Sequence, residues 1–155
     1  MSWRSEFLAP NLWTEDAWRA PSAALFAASA VERRRVAVAA ARLALSRNGL
    51  ASDDVAAAFA ALSGEQYGDG PVRRTVKARA DAHDEAYFDA EDAGDGATAA
   101  AEFVSARALS ALWFALRADP DDAARNALYE ARHSVDDAGQ SAIAGLIALE
   151  LDSTG

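Results

Sequence analysis

The chain lacks cysteine and contains a single lysine among its 155 residues. Without cysteine, disulfide bonds and thiolate chemistry are excluded. The net charge is −9 at neutral pH, so the chain offers no basic footprint that could pair with phosphate. We therefore expect neither nucleic acid nor a membrane as a partner.

Long apolar runs are also missing. The longest, such as residues 142–149, are too short to span a bilayer, and the first residues hold no apolar run of signal-peptide length. These absences predict a cytoplasmic protein. Alternating apolar and polar β-branched residues are missing too, which argues against strands.

Alanine is abundant, with 42 residues, and it is the best helix former. Helix starts are predicted at Pro21, Ser52, Pro71 and Asp119, from N-capping residues or from proline at the first position. The capping-box pattern at Ser29 leaves two alternatives, one helix that runs on from Ser22 or a second helix that begins near Ala30. We predict an all-α fold, a single-domain bundle of six to seven helices over residues 1–155. A central apolar helix is expected near residues 97–118, because large apolar side chains cover nearly all its sides, and Phe103 is predicted to be one of its core residues.

Three of the four tryptophans, Trp3, Trp13 and Trp18, lie in the first 20 residues. Tryptophan is rarely left in water. We therefore expect residues 1–20 to form a Trp-rich arm packed on the bundle. The alternative is an aromatic contact surface.

Negative charge is concentrated in one stretch. Between Arg79 and Arg107 there is no basic residue, and eight acids leave the rest of the chain near neutral. They are Asp81, Asp84, Glu85, Asp89, Glu91, Asp92, Asp95 and Glu102. Such a local field attracts a basic partner.

A helix over residues 71–92 would place most of these acids on one face, away from His83 and Tyr87. Phe88 falls in the middle of that acidic face, so we expect it to be more than a third exposed. An exposed aromatic residue among charges is typical of a binding hot spot. The predicted partner-binding residues are Asp81, Asp84, Glu85, Phe88, Asp89, Glu91, Asp92 and Asp95. The alternative is a plain solvated face, and salt bridges to Arg33, Arg34 and Arg35 are one way in which it could be tied to the bundle.

Catalytic and metal chemistry have weaker support. Glu130 and His133 have the spacing of one di-iron motif, but the required second motif is missing. His83, on an apolar face, is more typical of a core histidine than of a base. We predict no catalytic residue, no metal and no cofactor. Two alternatives remain: a small helical enzyme or metal-binding protein using His133 with Glu130 or using His83, and a structural homodimer joined by the arm or by Gly139 and Gly145.

Four segments in the second half of the chain carry a resemblance: residues 106–113, 119–124, 127–131 and 134–137. They resemble small uncharacterised alanine-rich helical proteins of bacteria, of the toxin-immunity type. The resemblance implies no catalytic residues. It implies a non-enzymatic protein that binds a toxin. Together with the acidic face, it predicts a protein-binding module, in its sharpest form an immunity protein that neutralises a basic, nuclease-type toxin.

Overall fold

In the computed structural model, residues 16–152 are described, and they form seven α-helices and no strand. The helices are α1 (Asp16–Ala27), α2 (Ala30–Arg47), α3 (Asp53–Ser63), α4 (Pro71–Asp92), α5 (Gly96–Ala115), α6 (Pro120–His133) and α7 (Asp137–Asp152). One hydrophobic core takes residues from every helix, which confirms the predicted all-α bundle. The predicted arm, residues 1–20, lies outside the described residues except for its last five, which begin α1.

Local capping signals account for most helix starts. Ser29 and Glu32 form a complete capping box at the start of α2, each side chain accepting a hydrogen bond from the other residue's backbone N–H. The side chain of Ser52 caps α3, and that of Asp119 caps α6 ahead of Pro120. These contacts confirm the predicted starts, because the side-chain oxygens satisfy N–H groups that have no partner within the helix.

Two predicted boundaries are wrong. Pro21 lies inside α1 and does not begin it. Proline has a helical φ, so a helix can continue through it with the loss of one hydrogen bond. The central helix ends at Ala115, three residues earlier than predicted. There the guanidinium of Arg34 from α2 caps the end of the helix by donating hydrogen bonds to the carbonyls of Ala115, Arg117 and Ala118.

Helices α2, α5 and α6 pack against one another at the centre of the bundle. Helix α4 packs along α5 and also contacts α3. Helix α7 packs on α2 and contacts α1. Many of the contacts are made by fully buried alanines, which let helix backbones approach closely. Larger side chains fill the remaining space, among them Leu109, Leu112, Leu128 and Ile143.

The prediction that α5 is apolar and buried on every side is wrong at Phe103. Leu109 and Leu112 are fully buried, but the Phe103 side chain is 36% exposed. Near the start of α5 its ring lies beside α4, where it contacts the ring of Tyr87. Because of this exposure, Phe103 is part of the molecular surface next to α4.

Candidate functional site

The acids of α4 divide between a side that packs on α5 and a side that faces solvent. On the packed side, Asp84 accepts two hydrogen bonds from Nη2 of Arg107, at 3.0 and 3.1 Å. Nη1 of the same guanidinium donates to Glu130 of α6 at 2.8 Å. Arg107 thus joins three helices. Asp84, predicted to bind a partner, is already paired within the protein.

Glu130 lies in the interior, with only 7% of its surface exposed. This burial raises the pKa of the Glu130 carboxyl above its ordinary value, and the Arg107 guanidinium opposes the rise. The hydrogen bond from Arg107 favours the ionised carboxylate, whereas desolvation disfavours it. Desolvation is the larger of the two effects. Glu130 therefore serves as a buried acceptor for Arg107.

Two further acids of the predicted set have local structural roles. Asp81 forms an ion pair with Lys77, one turn earlier in α4. Asp95 is the N-cap of α5, and it accepts hydrogen bonds from the backbone N–H of Thr98 at 3.1 Å and from its hydroxyl at 2.6 Å. These hydrogen bonds lower the pKa of the exposed Asp95 carboxyl. Asp95 therefore supports the turn into α5.

The remaining acids, Glu85, Asp89, Glu91 and Asp92, are exposed, and within residues 16–152 none of them forms an ion pair. Phe88 lies among them with 63% of its surface exposed, which confirms the prediction of more than a third.

The salt bridges to arginines of α2, which were one form of the solvated-face alternative, do not form among the described residues. Arg33 pairs with Asp121 of α6, and Arg34 caps the end of α5. Arg35 lies in a groove on α2 that is lined by none of the acids of α4. The three arginines are therefore engaged or placed elsewhere, and Glu85, Asp89, Glu91 and Asp92 face solvent without an ion pair to any described residue.

Aromatic rings extend the exposed face from α4 to α5. The ring of Tyr87 contacts that of Phe88 edge-on, with 5.1 Å between centroids, and that of Phe103 at 5.6 Å. Tyr87 itself is half-buried and holds the two more exposed rings on either side. We name this patch the acidic aromatic surface, and it comprises Glu85, Phe88, Asp89, Glu91, Asp92 and Phe103. The sequence pattern identified its α4 members, but it assigned Phe103 to the core.

The two histidines do not share a site. His83 contacts Glu102 of α5 through Nδ1. A helical wheel of α4 alone could not show this contact, because Glu102 belongs to another helix. His133 is exposed, and its Nδ1 is 2.8 Å from the carbonyl of Tyr129. Across residues 16–152, no three histidine, aspartate or glutamate side chains are grouped so that they could hold a metal ion. Among the described residues, His83 therefore pairs with Glu102, whereas Glu130 receives its hydrogen bond from Arg107.

A groove that sequence reasoning missed lies on the side of α2 opposite to its buried face. Its volume is about 710 Å³. Helix α2 contributes eight residues to the lining at helical spacing: Val31, Arg34, Arg35, Val38, Ala39, Arg42, Leu43 and Ser46. The end of α3 and the loop after it contribute Leu62, Ser63, Glu65 and Tyr67, and α7 contributes Leu146 and Glu150. The available signal was the second stripe on α2, in which valine and arginine recur three or four residues apart. Neither histidine lines this groove.

The glycines of α7 have different surroundings. A Cβ atom at Gly139 would lie 2.5 Å from the Cβ of Val135, so the close approach is to the turn preceding its own helix. The N–H of Gly139 donates to the capping carboxylate of Asp136 at 2.8 Å. Gly145 faces open space. Gly139 is therefore required by the start of α7, which gives no support to a self-association face.

Comparison with protein-family models, with curated proteins and with solved structures finds no match for this chain. No helix within residues 16–152 combines the length and the apolar character needed to cross a bilayer.

Proposed function

We propose that this protein is a non-enzymatic protein-binding module whose acidic aromatic surface docks on a basic partner protein. The single observation that carries the proposal is Phe88, a large apolar side chain 63% exposed among carboxylates that form no ion pair with any described residue. Burying such a side chain in a partner's pocket contributes about 1.5–3 kcal/mol. Aromatic residues within a polar rim are frequent hot spots of protein interfaces.

The charges around Phe88 suit a basic partner for two reasons. Glu85, Asp89 and Asp92 are exposed and lack an ion pair among the described residues, so their field is not neutralised locally. They also follow one another along α4 over about 10 Å, given a rise of 1.5 Å per residue. A row of this kind accelerates encounter with a basic surface and fixes its orientation.

The narrower form of the proposal is an immunity protein that covers the basic substrate cleft of a nuclease-type toxin. The exposed carboxylates would occupy the positions that phosphates take on the toxin, and Phe88 would fill an apolar pocket between them. The support for this form is charge complementarity and the resemblance described above. The cytoplasm is the compartment we propose for it.

The test compares two exposed apolar residues in different parts of the molecule. The partner is first obtained by capture on the immobilised wild-type chain, and its affinity is then measured by biolayer interferometry for Phe88→Ala and for Leu149→Ala. Leu149 is 69% exposed on α7, away from the acidic aromatic surface, and is a matched control. We expect Phe88→Ala to weaken binding about 30-fold, equivalent to ~2 kcal/mol, and Leu149→Ala to leave it unchanged.

Two outcomes would contradict the proposal. One is a wild-type chain that captures no basic protein from the cells that express it. The other is a captured partner whose affinity is lowered equally by the two alanine substitutions, since exposed apolar area in general would then explain binding.

A further inference from the structure

The groove on α2 has the dimensions and lining of a small-molecule site. Its volume of about 710 Å³ lies within the range of about 300–1,000 Å³ that is usual for ligand pockets. Val38, Ala39 and Leu43 of α2 and Leu146 of α7 give it an apolar lining. Such a surface accepts the hydrocarbon part of a ligand, because it removes apolar area from water.

Arg35 lines the groove with a half-buried side chain. Among the described residues its guanidinium has no hydrogen-bond acceptor, and its Nε is shielded from solvent without a partner. The neighbouring arginines differ. Arg34 donates to three carbonyls and lies over the ring of Tyr67, and Arg42 stacks on Phe59 with 4.2 Å to the ring centroid. A half-buried guanidinium without an acceptor can donate its remaining N–H groups to an anionic group in the groove, and such charge-assisted hydrogen bonds would stabilise that group at Arg35.

The charges around the groove limit how much negative charge a ligand can carry. Glu65 and Glu150 line the groove together with Arg34, Arg35 and Arg42, which leaves a small positive balance. A single carboxylate is compatible with this balance. A nucleotide or another polyanion would be repelled by the two glutamates.

We propose that the groove binds a free single-chain carboxylate, with the hydrocarbon chain along Val38, Ala39 and Leu43 and the carboxylate on Arg35. This site is separate from the acidic aromatic surface, since it involves none of its residues. The ligand class follows from the combination of an apolar lining, one unsatisfied guanidinium and a near-neutral rim.

Decanoate serves as the probe, with 1-decanol as its uncharged counterpart, and binding to the full chain is measured by isothermal titration calorimetry. We expect saturable binding of one decanoate per chain. Arg35→Gln should weaken decanoate about tenfold and leave 1-decanol unchanged, because only the carboxylate uses the guanidinium. Arg74→Gln, at an exposed arginine of α4, is the matched control and should bind like the wild type.

Ala39→Phe tests the location, since the larger side chain would fill the groove and abolish binding of both probes. Amide chemical shifts provide a second readout, and decanoate should perturb Val38, Leu43 and Leu146 while leaving Phe88 unmoved. A further arm uses vesicles of anionic phospholipid, to which the chain should not bind.

The proposal is overturned if decanoate does not saturate, or if Arg35→Gln binds it as tightly as the wild type does. It is also overturned if vesicles bind in place of the free carboxylate. Phe88→Ala should bind decanoate normally, so failure here and failure of the proposed function are distinguishable.

Discussion

Asp84 and Glu85 are neighbours along α4, yet their surroundings are opposite. Asp84 receives two hydrogen bonds from Arg107, which also binds the buried Glu130. Glu85 is exposed and forms no ion pair with any described residue. The 100° turn between successive residues thus separates an inner set of acids that joins α4, α5 and α6 from an outer set that is exposed to solvent. The inner set has a structural role, and partner binding is the role proposed for the outer set.

The largest effect is expected when the inner set loses its cation. Arg107→Leu would leave Glu130 buried without a partner, and we expect the free energy of unfolding to fall by about 3 kcal/mol at pH 7. Urea denaturation followed by circular dichroism measures this loss. The same substitution on the outer side, Arg74→Leu, removes an exposed arginine and should change stability by less than about 0.5 kcal/mol.

The loss in Arg107→Leu should also depend on pH. The pKa of Glu130 is already raised by burial, and removing the guanidinium raises it further. A carboxyl whose pKa is higher in the folded state contributes its full stability below the unfolded value near 4.5, and loses it as the pH rises through the folded pKa. The deficit relative to the wild type should therefore be smaller at pH 5 than at pH 7. A deficit that does not change with pH would show that Glu130 does not require Arg107.

A smaller effect is expected at Asp95, which the sequence pattern placed in the outer set and the structure assigns to the start of α5. Asp95→Ala removes the cap on Thr98, and we expect Tm to fall by roughly 3 °C. Asp92→Ala, at an exposed acid without a capping role, should leave Tm unchanged. The lowered pKa of Asp95 means that its contribution is present above its unfolded pKa and is lost as the pH falls through the folded value. Equal Tm values for the two variants would mean that Asp95 does not stabilise the start of α5 and belongs to the outer set.

The features of α4 that could be predicted from the sequence depend on local signals. Pro71 correctly predicted the start of α4, and the helical period alone placed Phe88 at the surface. Each of these features is determined by residues within one or two turns.

The parts that could not be predicted depend on distant residues. Asp84 and Glu130 are each 23 positions away from Arg107, and Arg34 reaches carbonyls more than 80 positions away. The groove likewise requires α2, the end of α3 and α7 to be arranged in space. Phe103 was misplaced for a related reason. Its helix is central over most of its length, and only the packing of the other helices shows that its first turns are uncovered.

The smallest effect on stability, and the most direct test of the proposed binding surface, comes from neutralising the outer set. In the triple variant Glu85→Gln, Asp89→Asn, Asp92→Asn, the free energy of unfolding should change by less than about 0.5 kcal/mol. A control triple variant, Asp53→Asn, Asp54→Asn, Asp137→Asn, makes the same change in net charge at exposed acids of α3 and α7. The decisive measurement is the affinity of the two variants for the captured partner. The account predicts that the outer-set variant binds about tenfold more weakly than the control and loses the salt dependence of binding. Equal affinities would contradict the claim that the acidic aromatic surface is the binding site.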